Sequence, residues 1–111
     1  MNMNSYSCCA AAPVGTDIAS LASLLKTISE PNRLRILYTL QNGEEHCVCE
    51  FSDHMKDVSQ SLLSHHLADL RAADMVVSEK RGLKVYYKLT KQGMKITNRV
   101  LAIQQGVTDE N

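Results

Sequence analysis

The spacing of apolar residues changes twice along this chain, and that change restricts the fold more than any single motif does. Over residues 17–72 apolar side chains recur every three or four positions, over 75–89 they alternate, and from 90 onward the three-to-four spacing returns. The first and last patterns put one apolar stripe on a helix, and the middle one puts one apolar face on a strand. Thr16 or Asp17 can cap a helix to about residue 28, with Ile18, Leu21, Leu25 and Ile28 on one stripe and Leu24 beside it. Ser29 can cap a second helix with Pro31 in its first turn; Leu34, Leu37 and Leu40 line one face, Ile36 flanks it, and Asn42 and Gly43 stop it. An extended connector over 44–47 leads into a short helix over 48–55, in which Phe51 and Met55 can face a core. After a turn, Ser59 caps a fourth helix to about residue 72, with Leu63, Leu67 and Leu70 as its buried stripe, joined by Leu62 and His66.

Strands over 75–80 and 84–89 flank a turn containing Gly82, and Val85, Tyr86 and Tyr87 suit a pleated surface. Thr90 caps a last helix to about residue 106, along which Ile96, Val100, Ile103 and Val107 recur at helical spacing. The order predicts a mainly α fold with a small β-hairpin, a winged helix-turn-helix. A core drawn from 111 residues covers only part of the apolar stripes on the two terminal helices, which predicts a homodimer through them. The expected organisation is a flexible cysteine-bearing arm over 1–15, with Pro13 and Gly15 near its end, a winged helix-turn-helix domain over 16–107, and a polar tail over 108–111. No apolar run approaches the roughly 18 residues of a membrane span, and no basic segment precedes an apolar one at the start. The expectation is a cytoplasmic protein without membrane contact.

The formal net charge is zero, but it is unevenly spread. Seven bases and no acid lie between Lys80 and Arg99, whereas the stretch from Met1 to Asp57 holds seven acids and four bases. One region is therefore suited to meet an anion. The face of the fourth helix away from its leucines offers Ser59, Gln60, Ser61, Ser64 and His65, short groups able to hydrogen-bond base edges. Its first turn carries no acid, so its N–H groups and dipole can meet phosphate. Lys80, Arg81 and Lys84 on the hairpin can touch DNA backbone or minor groove. A solvated helix face and an ordinary charged hairpin are the plainer reading of each piece; their conjunction favours double-stranded DNA. His66, near the leucine stripe, reads as a packed histidine.

Four cysteines in a chain expected to be cytoplasmic are expected to be reduced. Cys47-Val48-Cys49 can direct two sulfurs at one ion if the backbone there is not fully helical, and a helix start favours the thiolate. Thiolates select soft ions, and trivalent arsenic and antimony favour three sulfurs. Two ligands rarely make a tight site, and Cys8 and Cys9 hold the only other thiols. The alternatives are packed, unreactive thiols at Cys47 and Cys49, an incidental pair at Cys8 and Cys9, or a disulfide in place of metal, although a Cys-x-Cys disulfide is disfavoured as strained. His46 and His54 read as surface histidines. No glycine-rich phosphate loop or GxSxG motif occurs, and nothing orients a Cys/His pair, so no enzyme is expected.

The segments PNRLRILYTL, SQSLLSHHLADLRAADMV and KVYYKLT, in this order, resemble the ArsR/SmtB family of metal-sensing repressors over about residues 17–106. The stretch HCVCEF is similar to the ELCVCDL metal-binding box of that family, which implies that Cys47 and Cys49 are ligands. One arsenic-sensing branch places a further cysteine three residues on; here that position is Ser52. A branch that senses cadmium and lead completes its site with cysteines of the N-terminal arm, often the partner's, and Cys8 and Cys9 match that pattern. The family's other site, built from His and carboxylates on the C-terminal helices, looks absent, because residues 90–111 contain no His and only Asp109 and Glu110 as acids. Asp74 stands where the family usually has Gly, and Asp tolerates the left-handed conformation needed there. The resemblance implies a homodimeric repressor of an inverted-repeat operator, released by As(III)/Sb(III) or Pb(II)/Cd(II). The alternative is a winged-helix repressor that senses thiol redox state.

Overall fold

The computed structural model describes residues 17–109. The arm over 1–15, with Cys8 and Cys9, lies outside the described residues, as do Thr16 and the last two positions of the expected tail. Five helices and three strands follow in the order α1 (Ile18–Ile28), α2 (Pro31–Leu40), β1 (His46–Cys47), α3 (Val48–His54), α4 (Gln60–Ala72), β2 (Val76–Arg81), β3 (Lys84–Leu89) and α5 (Lys91–Asp109). The strands form one antiparallel sheet in the order β1-β3-β2. This is the winged helix-turn-helix that the two changes of period predict.

The helix starts follow from local hydrogen bonding. The Asp17 carboxylate accepts from the Ser20 N–H at 3.2 Å, Ser59 Oγ from the Leu62 N–H at 3.0 Å, and Thr90 Oγ1 from the Gly93 N–H at 2.8 Å. Each satisfies an amide that has no carbonyl partner inside its helix. The start of α2 differs from the expectation. Ser29 ends α1, donating its hydroxyl to Lys26 O, and Glu30 caps α2 by accepting from the Arg33 N–H at 3.0 Å. Pro31 opens the first turn, where its missing N–H costs nothing.

The core comprises Ile28 of α1, Ile36, Leu37 and Leu40 of α2, Phe51 and Met55 at α3, Val58, Leu63, Leu67 and Leu70 of α4, and Met75, Val76 and Leu89 around the hairpin. Leu62, expected to join the stripe of α4, is 43% exposed, since it sits one position off the 63–67–70 row. His66 is buried as expected. Its Nδ1 accepts from Arg33 Nε at 3.0 Å; Arg33 also donates to Thr27 O at 3.2 Å and to the Asp69 carboxylate. One guanidinium therefore ties together α1, α2 and α4. The expected hairpin is shifted by one residue: β2 starts at Val76 and ends at Arg81, leaving Gly82 and Leu83 as a two-residue turn. Helix α5 runs three residues past its expected end at Gly106 and takes up Thr108 and Asp109 from the expected tail. Among the described residues no helix is long and apolar enough to cross a membrane.

Candidate nucleic-acid interface and thiol site

Helix α4 buries Leu63, His66, Leu67 and Leu70 and so turns Ser59, Gln60, Ser61, Ser64 and His65 outward, all of them exposed. Ser59 Oγ is occupied as the cap acceptor but keeps its proton for donation. His65 lies 3.4 Å from the Asp69 carboxylate, one turn along the same helix. The first turn holds no acid, so the positive end of the helix is unopposed.

The hairpin stands beside this helix. Gly82, at φ +63°, occupies the first turn position, where the tight turns that match strand twist need a left-handed residue. Lys80 and Lys84 are exposed and enter no ion pair among the described residues. Arg81 is held differently. It donates to Glu45 at 2.9 and 2.8 Å and to Glu79 at 2.7 Å, and its guanidinium lies 4.9 Å from the centre of the Tyr86 ring. The bonds to Glu45, then Glu79, raise the Arg81 pKa, and the Arg81 hydrogen bond holds the Glu45 carboxyl below its ordinary range. The sequence puts Arg81 with the DNA-facing bases; the structure engages it with Glu79 two residues back and with Glu45, a pairing across 36 residues that periodicity cannot reveal.

Cys47 and Cys49 meet at the start of α3. Cys47 is the N-cap residue, with φ −87° and ψ 166°, and its N–H donates to Glu50 Oε1 at 2.7 Å. The extended residue followed by a helical one brings the two side chains together across a Cα–Cα distance of 5.4 Å, as the sequence spacing allows. They are joined as a disulfide. The disulfide is the alternative that the sequence leaves open beside a metal site, and the break from strand to helix at Cys47, the non-helical backbone that the spacing requires, makes the approach possible. Cys47 is 2% exposed, packed as a core thiol would be, whereas Cys49 is exposed. His46 is not the surface residue expected. Its side chain is 17% exposed, its ring centre lies 5.6 Å from that of Phe51, and its Nε2 is 3.1 Å from Glu44 Oε1. His54 is exposed.

Two connections link the sulfurs to the DNA-facing surface. Cys47 pairs with Tyr86 in the sheet, so the cysteine strand β1 is hydrogen-bonded to the wing strand β3, a contact missed because two residues are too few for a strand pattern. A groove of about 290 Å³ is lined by Cys47, Cys49, Gln60, Ser64, Leu83 and Lys84, among others. Among the described residues no cluster of three or more His, Cys, Asp or Glu side chains could hold a metal ion, so this region alone supplies two sulfurs.

A family model described as "Bacterial regulatory protein, arsR family" matches residues 30–78, from the cap of α2 to the first strand of the wing. The arsenical resistance operon repressor of Staphylococcus xylosus is 37% identical over 83 residues, covering 75% of this chain and 78% of that protein. The chain belongs to the ArsR family. The cadmium resistance transcriptional regulatory protein CadC of Listeria innocua is 37% identical over 82 residues, 74% of this chain and 66% of that protein. HlyU from Vibrio cholerae superposes with a TM-score of 0.70 at 31% identity, covering 81% of this chain and 97% of that one. As a member of the ArsR family the chain is a DNA-binding transcription regulator and not an enzyme. In this ArsR-family chain the left-handed residue after α4 is Asp74, at φ 62°, as its position predicts.

Proposed function

We propose that this ArsR-family chain is a homodimeric repressor of an inverted-repeat operator, and that As(III)/Sb(III) or Pb(II)/Cd(II), bound to its cysteines, releases it. The observation that carries this reading is the convergence of Cys47 and Cys49 on a groove whose other walls are Gln60 and Ser64 of α4 and Lys84 of the wing. Once reduced, the pair offers two thiolates to one soft ion. Cys8 or Cys9 would complete three or four sulfurs. The relatives named for arsenical and for cadmium resistance support a thiophilic effector of this class. Ser59, Gln60, Ser61, Ser64 and His65 would face the major groove, while Lys80 and Lys84, with Arg81 in reserve, would meet the backbone beside it.

Coupling needs no long path. Drawing Cys47 toward an ion shifts its β1 partner strand β3, and drawing Cys49 shifts α3, which packs on α4. A coupling of about 1.4 kcal/mol already changes operator affinity tenfold. Because the ligands must lose protons, sensing weakens as pH falls.

Operator binding is measured under reducing conditions with arsenite, lead and cadmium, for the native chain, Cys47→Ser and Cys8→Ser/Cys9→Ser. The native complex should dissociate, and Cys47→Ser should stay bound. Release of Cys47→Ser by the same ions sinks the assigned site. The disulfide favours a second reading, in which peroxide oxidises the two thiols to the disulfide and water, with the same mechanical effect. Release by peroxide, reversed by a dithiol and insensitive to every ion, would select it.

A further inference from the structure

Among the described residues the most exposed large apolar side chain is Leu83, at 101% relative exposure, on the tip of the wing. A lone exposed leucine is ordinary; its surroundings are not. Gly82, at φ +63°, turns the chain so that Leu83 projects beyond both strands. Lys80 and Lys84, free of ion pairs among the described residues, flank it, and Lys88 follows along the same strand. Arg81, the base next to the turn on β2, is committed to Glu45 and Glu79. Leu83 also shares the groove wall with Gln60 and Ser64, so it lies on the side of the molecule that presents the outward face of α4.

We propose that Leu83 is a DNA contact: an apolar wedge that the wing inserts into the minor groove flanking the site read by α4. The inference rests on the operator-binding reading above. A cationic collar around a projecting leucine matches a polyanion whose minor groove is walled by apolar sugar faces, and apolar side chains of this size enter minor grooves and open base steps. Lys80 and Lys84 hold the phosphates on either side, and Leu83 fills the groove between them. Such a contact favours flexible pyrimidine–purine steps at the flank and bends the duplex there.

The test uses the full-length chain and a duplex selected with it from a random pool, titrated over a range of salt concentrations. Leu83→Ala should lose about tenfold in affinity with an unchanged dependence of log K on log salt, because no charge is removed. Lys84→Ala should lose affinity and lower that slope by about one. Leu83→Ala should also reduce the bend measured by circular permutation of the site. Affinity of Leu83→Ala within about twofold of the native chain at every salt concentration, with an equal bend, overturns the wedge alone. A change in sedimentation mass without a change in DNA affinity makes the tip a protein contact and likewise overturns it. If the native chain selects no duplex, the repressor reading falls as well. Leu83 is fully exposed, so an unchanged thermal melt verifies that the variant is folded.

Discussion

Asp74 decides how α4 hands the chain to the wing. At φ 62° it occupies a region where side chains clash with the following carbonyl, and its carbonyl accepts from Thr90 Oγ1 at 2.7 Å. A short polar side chain tolerates this conformation, and a β-branched one does not. Asp74→Val should therefore cost about 1–2 kcal/mol, and Asp74→Gly should stay within about 0.5 kcal/mol of the native chain, both by chemical denaturation. Equal stability of the two variants would show that the left-handed turn is not a constraint. This residue was legible in advance, because its demand is local. Arg33 was not: its partners Thr27, His66 and Asp69 come from two other helices, and nothing in the spacing of one helix announces them.

At the scale of elements, the seam between the hairpin and α5 is set by a glycine. A Cβ on Gly93 would lie 2.0 Å from Met75 O and 2.9 Å from Met75 C, both backbone atoms that cannot swing away. Gly93→Ala should cost more than about 2 kcal/mol in a thermal or denaturant melt, against the gain of up to about 1 kcal/mol that the same change gives in an open helix. A stabilised variant would mean that α5 does not press on the hairpin. In the sequence Gly93 looks like an incidental weak point in a helix, because the close approach is made by a residue 18 positions away. The wing carries a second testable element. With its pKa held down by Arg81, the Glu45 carboxylate stays ionised at and above its ordinary pKa, and the pairing is lost only as pH falls below the ordinary carboxylate range, through the lowered value. Across the neutral range Arg81 therefore stays engaged. Replacing both partners, Glu45→Gln with Glu79→Gln, should release it to DNA and raise the salt slope of operator binding by about one. An unchanged slope would mean that Arg81 reaches phosphate while still paired.

For the whole molecule, the unfinished business is apolar. Ile18, Leu21 and Leu25 on α1 and Ile103 on α5 are large hydrophobic side chains left exposed in the single chain, 46–64% by residue. Their helical spacing makes one continuous stripe on α1, which a second copy would cover and a lone molecule cannot. Leu21→Glu combined with Ile103→Glu should give a monomer in sedimentation and abolish cooperative binding to an inverted repeat, with the core of α2, α3 and α4 intact. A dimer that survives both changes would place the subunit contact elsewhere.

Sequence periodicity alone determined the order of the five helices and the hairpin, the winged helix-turn-helix class, the outward residues of α4 and the position of the sulfur pair at a helix start. Those features depend on which side of a helix or strand is apolar and on which side chains can cap, and both act over a few residues. Only the tertiary structure decided that Cys47 is strand-paired to the wing, that the sulfurs and Gln60 share a groove, that Arg81 is held by Glu45, and that Leu83 is fully exposed at the tip. These contacts join residues far apart in the chain, brought together by packing around the shared core, and a local pattern carries no record of a partner chosen that way.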